Sequence, residues 1–280
     1  MRDISENDII EKIYSAVEKA SFSLEPEIMR LLKDAAEKET NPYGKKVLEI
    51  IIENIKVAQE KKLPLCQDTG MVLVFFEIGN EVSIQFKNFR SLQEIADHAV
   101  RTAYRDFYLR KSIVSVPERK NTQDNSPAVV WCEIVPGNNF KFSLLIKGFG
   151  SENTTQLKMF EPAAGLEKIK KFVVDCVKKA GPNPCPPVFV GIGVGGTADK
   201  AVYLSKKALF EVGRSERDRF GEFENEIIEG VNKLGIGPGG LGGNFTCLDV
   251  RVKSFPTHIA GLPVAVSISC WAHRMYQDTI

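Results

Sequence analysis

Six cysteines are spread over this chain, and three of them sit where a buried structural cysteine is not expected. Cys66 lies in Pro64-Leu65-Cys66-Gln67-Asp68-Thr69-Gly70, and Cys185 in Gly181-Pro182-Asn183-Pro184-Cys185-Pro186-Pro187. Cys270 ends the apolar run Val264–Ser269 and is followed by Trp271. Proline around Cys185 removes backbone donors and stops regular structure. Something other than a hydrogen-bond ladder must hold that segment: a metal cluster is one candidate, a tight exposed loop the other. Three thiolates from distant loops can bind a [4Fe–4S] cluster and leave its fourth iron open, which is what Lewis-acid chemistry needs. No C-x-x-C pair is present, which argues against zinc ribbons and thioredoxin-like sites. The other cysteines read as core. Cys176 shares a helical face with Ile169, Phe172 and Val173. Cys132 and Cys247 lie in the expected strands Val129–Ile134 and Phe245–Leu248.

Two glycine-rich stretches also invite a chemical interpretation. Gly191-Ile192-Gly193-Val194-Gly195-Gly196 fits G-x-G-x-x-G between an expected strand and an expected helix, which is a dinucleotide fingerprint. The charged run Ser215–Arg219 stands where the fingerprint requires a second parallel strand with an acidic residue. The second match, Gly235–Gly240, follows a helix, the wrong order. Both stretches fit better as places of close backbone approach that offer amides to an anion or a cluster. A nucleotide-binding dehydrogenase built on Gly191–Gly196 is the rival function, and a non-enzymatic scaffold the blander one.

These loops need a framework. At 280 residues, with 43% hydrophobic and 26% charged content, the chain can bury a full core. A net charge of +1 gives no reason to expect nucleic acid or an anionic membrane as partner. The charged start, Met1–Asp8, lacks a signal-peptide core, and no apolar window is long enough to span a membrane; the expected location is the cytoplasm. Helical stripes are Ile9-Ile10-Ile13-Val17, Ile28-Leu31-Leu32-Ala35 and Val47-Ile50-Ile51-Ile55-Val57. From Leu63 onward the texture mixes strands and helices. Residues 71–78 and 82–86 read as strands around Gly79-Asn80, and 128–135 with 140–147 as a hairpin. Helices are expected over 92–109, 163–180, 199–210 and 217–234, and strands over 187–194, 246–252 and 264–269. The pattern predicts an α+β fold in one domain, 1–280: a helical N-terminal lobe, 1–62, followed by a mixed, cluster-binding part, 63–280, with Gly-rich loops. No internal repeat is visible.

Taken together the motifs are distinctive. They are Leu65–Gly70, Asn121–Ala128, Lys147-Gly148-Phe149-Gly150-Ser151-Glu152-Asn153, Gly191–Lys200, Gly235–Gly243 and Ser269-Cys270-Trp271-Ala272, in this order. The chain resembles the alpha subunit of the class I (iron–sulfur) fumarate hydratase and L(+)-tartrate dehydratase family over essentially its whole length. The resemblance implies that Cys66, Cys185 and Cys270 bind a [4Fe–4S] cluster whose fourth iron polarises a dicarboxylate substrate. It implies substrate contacts for Gln67, Arg110 and His258, and proton transfer at carbon for Asp68. Fumarate hydration is the implied reaction, with L(+)-tartrate dehydration as the alternative. Phe149 departs from the Lys-Gly-Gly-Gly-Ser common in relatives, which puts any backbone contact there in question. Since the chain ends ten residues after Cys270, the resemblance also implies a separate beta subunit, a hetero-oligomer in which alpha–alpha contact is possible.

Overall fold

A computed structural model of the chain describes residues 2–217 and 219–280. Strand β1 (Arg2–Ser5) leads into helix α1 (Glu6–Phe22), followed by α2 (Pro26–Lys38) and α3 (Pro42–Lys61). Then come β2 (Met71–Gly79), β3 (Val82–Gln85), α4 (Leu92–Asp106), β4 (Val129–Val135), β5 (Phe140–Lys147) and the short α5 (Phe149–Glu152). The chain continues through β6 (Gln156–Phe160), α6 (Gly165–Ala180), β7 (Val188–Gly195), α7 (Ala198–Ala208) and α8 (Gly221–Asn232). It closes with β8 (Cys247–Phe255), β9 (Leu262–Ser269) and β10 (Arg274–Thr279). The fold is the expected α+β mixture with a helical start. The chain divides into two units: residues 1–25, 55–149 and 274–280 form the first, residues 26–54 and 150–273 the second. The helices of the first sixty residues are thereby shared out, α1 to the first unit and α2 to the second.

Local signals account for the helices. Ser5 and Asp8 form a reciprocal capping box at the start of α1. Proline occupies the first position of α2 and of α3, where its missing N–H costs nothing. Ile9, Ile13 and Val17 of α1 are buried as expected. On α3 the buried stripe is Leu48, Ile51, Ile55 and Ala58, and Ile50 points outward, 57% exposed. The true face follows the i, i+3, i+7 rows through Leu48, which lies about 160° around the helix from Ile50.

In the first unit a four-stranded sheet runs β10-β5-β2-β4. The expected hairpin between residues 128–135 and 140–147 is not formed. Instead β2 lies between them, parallel to β4 and antiparallel to β5. The reason is in β2 itself, whose Val72, Leu73, Val74, Phe75 and Phe76 are all buried, so it needs a neighbour on each side. Nor does β3 pair with β2 across Gly79-Asn80; it takes β1 as a parallel partner. α1 and α4 cover one sheet face, where Ile13, Ala99 and Ala103 meet Val74, Phe76, Phe142 and Leu144.

The second unit carries the sheet β6-β9-β7-β8, with β7 parallel to β8 and antiparallel to β9. α6 and α8 cover one face through Ile169, Val173, Ile227 and Val231. α7 packs on β7 at close range: a Cβ on Gly193 would stand 1.9 Å from the Ala201 carbonyl oxygen. Gly191 and Gly193 of the G-x-G-x-x-G stretch are therefore inside β7, where register with β8 and β9 commits their backbone to the sheet, and Gly196 follows the strand with its N–H on the Pro256 carbonyl. The expected close approach is present. The expected offer of amides to an anion is not, because Gly191 and Gly193 belong to a ladder, and this is not the strand-to-helix phosphate loop that a dinucleotide needs.

Candidate active site

In the first unit the residues around Asp68 form a loop just before β2. Both Asp68 carboxylate oxygens accept main-chain donors, Oδ1 from Gly70 N at 2.9 Å and Oδ2 from Phe149 N at 2.8 Å. The three successive carbonyls of the loop each receive a side chain from a different element. Arg274 Nη1 of β10 donates to Asp68 O at 2.7 Å, Tyr104 of α4 donates to Thr69 O at 2.6 Å, and Asn125 Nδ2 donates to Gly70 O at 3.1 Å. Tyr104 is fully buried, and burial pushes its phenol well above the usual range, so it is a fixed donor. Glycine is required at one point here and gives a tight fit at a second. Gly70 sits at φ +70 with the Lys147 carbonyl 2.8 Å from where a Cβ would be, and a Cβ on Gly148 would be 3.2 Å from Asp68 Oδ2.

The same loop is tied to the segment that carries Arg110. Thr69 Oγ1 donates to Arg110 O at 2.6 Å, and Ser112 N donates to Asn125 Oδ1 at 2.8 Å. The backbones are fixed while the side chains of Gln67 and Arg110 stay exposed. Three of the sequence motifs, around Asp68, Asn125 and Gly148, thus meet the Arg110 segment in one polar cluster.

In the second unit Cys185 follows α6 and precedes β7. It is exposed and takes a left-handed backbone, φ +53, with its N–H on the Pro182 carbonyl at 3.0 Å. For a residue with a Cβ that conformation is uncommon and holds only where the surroundings enforce it. They do so through the second glycine stretch. Gly239 N donates to Pro186 O at 2.7 Å, and a Cβ on Gly240 would lie 2.5 Å from Pro182 Cβ. Behind that stretch Glu39, 3% exposed, accepts the Asn244 and Phe245 amides. Cys270 leaves the end of β9. Because Phe189 of β7 pairs with Ser269 of β9, Cys185 and Cys270 arise at the same end of the sheet. His273, fully buried, donates from Nε2 to Leu209 O at 2.9 Å; its Nδ1 lies 2.8 Å from Ser269 Oγ, accepting from it in the neutral ring, and braces the residue before Cys270. His258 sits in the exposed turn between β8 and β9, where its Nδ1 accepts Ala260 N at 3.1 Å.

Against this geometry the chain was compared with known proteins. The profile of the fumarate hydratase (Fumerase) family matches residues 10–278. The chain belongs to that family. It is 38% identical over 275 residues to a Methanocaldococcus jannaschii protein provisionally named L(+)-tartrate dehydratase subunit alpha, covering 96% of this chain and 95% of that one. It is 32% identical over 275 residues to the L(+)-tartrate dehydratase subunit alpha of Escherichia coli (strain K12), covering 96% and 89%.

The six cysteines of this Fumerase family chain separate by environment. Cys176 and Cys247 are buried, and burial holds both as thiols, Cys176 pushed up to about 12 and Cys247 higher still. Cys132 departs from its expected place in the core: it is exposed on β4, an edge strand with one partner, next to Ile134, which is 71% exposed. Cys66 and Cys270 are half-buried and Cys185 exposed, all three in loops. Among the described residues no three His, Cys, Asp or Glu side chains are gathered as ligands of a single metal ion. A four-iron cluster makes a different demand, since each thiolate takes a separate iron and the sulfurs stand apart. Accessible loop thiols, with the remaining buried pair kept neutral, fit that demand on donor chemistry.

Sequence reasoning missed Arg274, Tyr104, Asn125 and Thr69, although the Asn121–Ala128 motif contains one of them. A signal did exist for Arg274: it extends the Ser269–Ala272 motif by two residues, yet it is only 2% exposed. A charged side chain is rarely buried without a partner.

Proposed function

We propose that this chain is the alpha subunit of an iron–sulfur hydro-lyase that adds water to, or removes it from, a four-carbon dicarboxylate. The observation that carries the proposal is the Asp68 loop, fixed at three successive carbonyls and joined through Thr69 to the segment of Arg110. Cys66, Cys185 and Cys270 would hold a [4Fe–4S] cluster. When bound, such a cluster supplies Lewis acidity to the leaving hydroxyl. The chain's own residues do the rest. Asp68 exchanges the proton at carbon: each carboxylate oxygen spends one lone pair on a main-chain N–H and keeps another for the substrate. Arg110 clamps a substrate carboxylate with its planar fork. Gln67 and His258 orient the remaining polar groups; in the neutral His258 ring, Nδ1 is the acceptor and Nε2 carries the hydrogen.

The partner would be a beta subunit, as the names of the relatives suggest, in a soluble cytoplasmic hetero-oligomer with alpha–alpha contact possible. Among the described residues no helix is long and apolar enough to cross a membrane. Fumarate is the substrate that the family name suggests, and L(+)-tartrate the one that the relatives' names favour; the two reactions share the same proton and hydroxide chemistry.

The test is anaerobic reconstitution of the chain, co-expressed with its beta subunit, with iron and sulfide, followed by assays with both substrates. Iron and sulfide should bind. Cys66→Ser, Cys185→Ser and Cys270→Ser should each abolish binding, while Cys132→Ser, Cys176→Ser and Cys247→Ser keep it. Equal iron content in both sets would overturn the ligand assignment, and turnover of neither substrate would overturn the reaction.

A further inference from the structure

Asn125 is a buried polar residue with no exposed surface, held at φ +61. Its loop is anchored to α4 at several points. Asp124 pairs with Arg101 at 2.9 Å, Ala128 N donates to Asp97 Oδ1 at 2.7 Å, and Gln93 Nε2 donates to Ala128 O at 2.9 Å. From that anchored base the Asn125 amide reaches two separate segments at once. Nδ2 donates to Gly70 O and Oδ1 accepts from Ser112 N. Gly70 is two residues from Asp68, and Ser112 two residues from Arg110.

We propose that Asn125 is a positioning residue of the hydro-lyase site, setting the separation between the Asp68 carboxylate and the Arg110 guanidinium; this rests on the function proposed above. An amide side chain suits the task because one end must donate to a carbonyl and the other must accept from an N–H. Aspartate of the same shape can do only the second. The bond from Thr69 Oγ1 to Arg110 O is a second latch joining the same two segments. Proton transfer at carbon requires the substrate, clamped by one group, to meet the other at near-attack distance, and small misplacements are costly there.

The experiment uses the reconstituted complex with Asn125→Asp, Asn125→Ala, Thr69→Val and the double variant N125D/T69V. We expect N125D to keep its iron content while its thermal midpoint falls, and kcat/KM per loaded site to fall about 10- to 100-fold besides. Two latches in parallel should make the double variant lose more than the product of the single losses. A residue that only supports the fold would lower the thermal midpoint and the active fraction, leaving kcat per loaded site and KM unchanged; that result overturns the proposal. A second readout needs no turnover. Amide hydrogen exchange on the alpha chain should speed up at Ser112 in N125A, where that N–H loses its acceptor, and hold at Ser112 in N125D, where it keeps one. Unchanged exchange at Ser112 in N125A also overturns it. Should N125A fail to fold, N125D and T69V carry the test. Should the wild-type complex turn over neither dicarboxylate, the proposed reaction fails, while the exchange result still decides whether Asn125 joins the two segments.

Discussion

The two units are built on one plan and stiffened in different ways. In each, a central strand has a parallel neighbour on one side and an antiparallel one on the other, with a fourth, antiparallel strand beyond. The first unit orders these as β4-β2-β5-β10 and the second as β8-β7-β9-β6. In each, a cysteine-bearing loop precedes the central strand, Cys66 before β2 and Cys185 before β7. The segment after the antiparallel neighbour is also used, Gly148 after β5 and Cys270 after β9. Doubly wound sheets place their ligands at the carboxyl ends of parallel strands. Both units here put candidate residues at the amino end of the central strand instead; His258 is the exception, in the β8–β9 turn at the carboxyl end of β7. The difference lies in how that end is held. Side chains hold the Asp68 loop at three carbonyls, namely Arg274, Tyr104 and Asn125, beside one close backbone approach at Gly70. Backbone contacts and glycines touch the Cys185 loop directly, with the Thr246 hydroxyl and the Glu39 carboxylate behind them. A loop held by side chains should weaken by degrees, one donor at a time; one held by touching backbones should fail at a single methyl group.

The sharpest way to break this comparison is Gly237→Ala in the second unit. Gly237 sits at φ +69, and a Cβ there would lie 2.0 Å from the Gly242 carbonyl carbon. Neither backbone can rotate away as a side chain would. Left-handed strain and overpacking add, and the expected loss is about 3 kcal/mol or more, read by denaturant titration. Little or no loss would show that the glycine stretch is not what fixes the Cys185 loop.

The first unit should respond less to its own single deletion. Tyr104→Phe removes one hydroxyl and leaves Thr69 O without its 2.6 Å donor in a buried setting. The expected cost is about 1–3 kcal/mol with an unchanged denaturant slope. If Tyr104→Phe proved as damaging as Gly237→Ala, the contrast between the two ways of holding a loop would collapse.

That contrast also explains what the sequence could and could not disclose. Helical stripes such as Ile9-Ile13-Val17 are local periodicities, and they were legible. So was Cys176, because its neighbours on one helical face are apolar. The placement of β2 between β4 and β5 was not. A strand apolar on both faces announces that it is central, but its partners lie more than fifty residues away and no local pattern names them. The shared plan of the two sheets was hidden for the same reason: it lives in pairing order, with no repeated residues. In the site, Cys66, Gln67 and Asp68 belong to a motif that can be read as a word, and Arg110 comes from the resemblance. The donors to carbonyls 68–70 come from three other elements. A side chain that satisfies a carbonyl leaves no mark of spacing, since nearly any donor from any element could do it.

The smallest expected effect concerns acid stability. Glu6, 3% exposed, anchors the loop after β3 by accepting the Lys87, Asn88 and Phe89 amides. Glu39 does the equivalent in the second unit with Asn41, Asn244 and Phe245. Hydrogen bonds from the Asn88 and Lys87 amides hold the Glu6 carboxyl below its ordinary value of 4.5. A depressed folded value means that the unfolded chain binds the proton more tightly. The contribution of Glu6 is therefore complete above pH 4.5 and disappears as the pH falls through the folded value. Glu6→Gln keeps the shape and removes the titration. Stability measured against pH should then fall less steeply below pH 4.5 in the variant, with the two curves separated by a constant amount at neutral pH. Parallel curves down through the acid range would mean that the carboxylate is not the group that anchors this loop, and that side chains stiffen the first unit less than the Asp68 loop suggests.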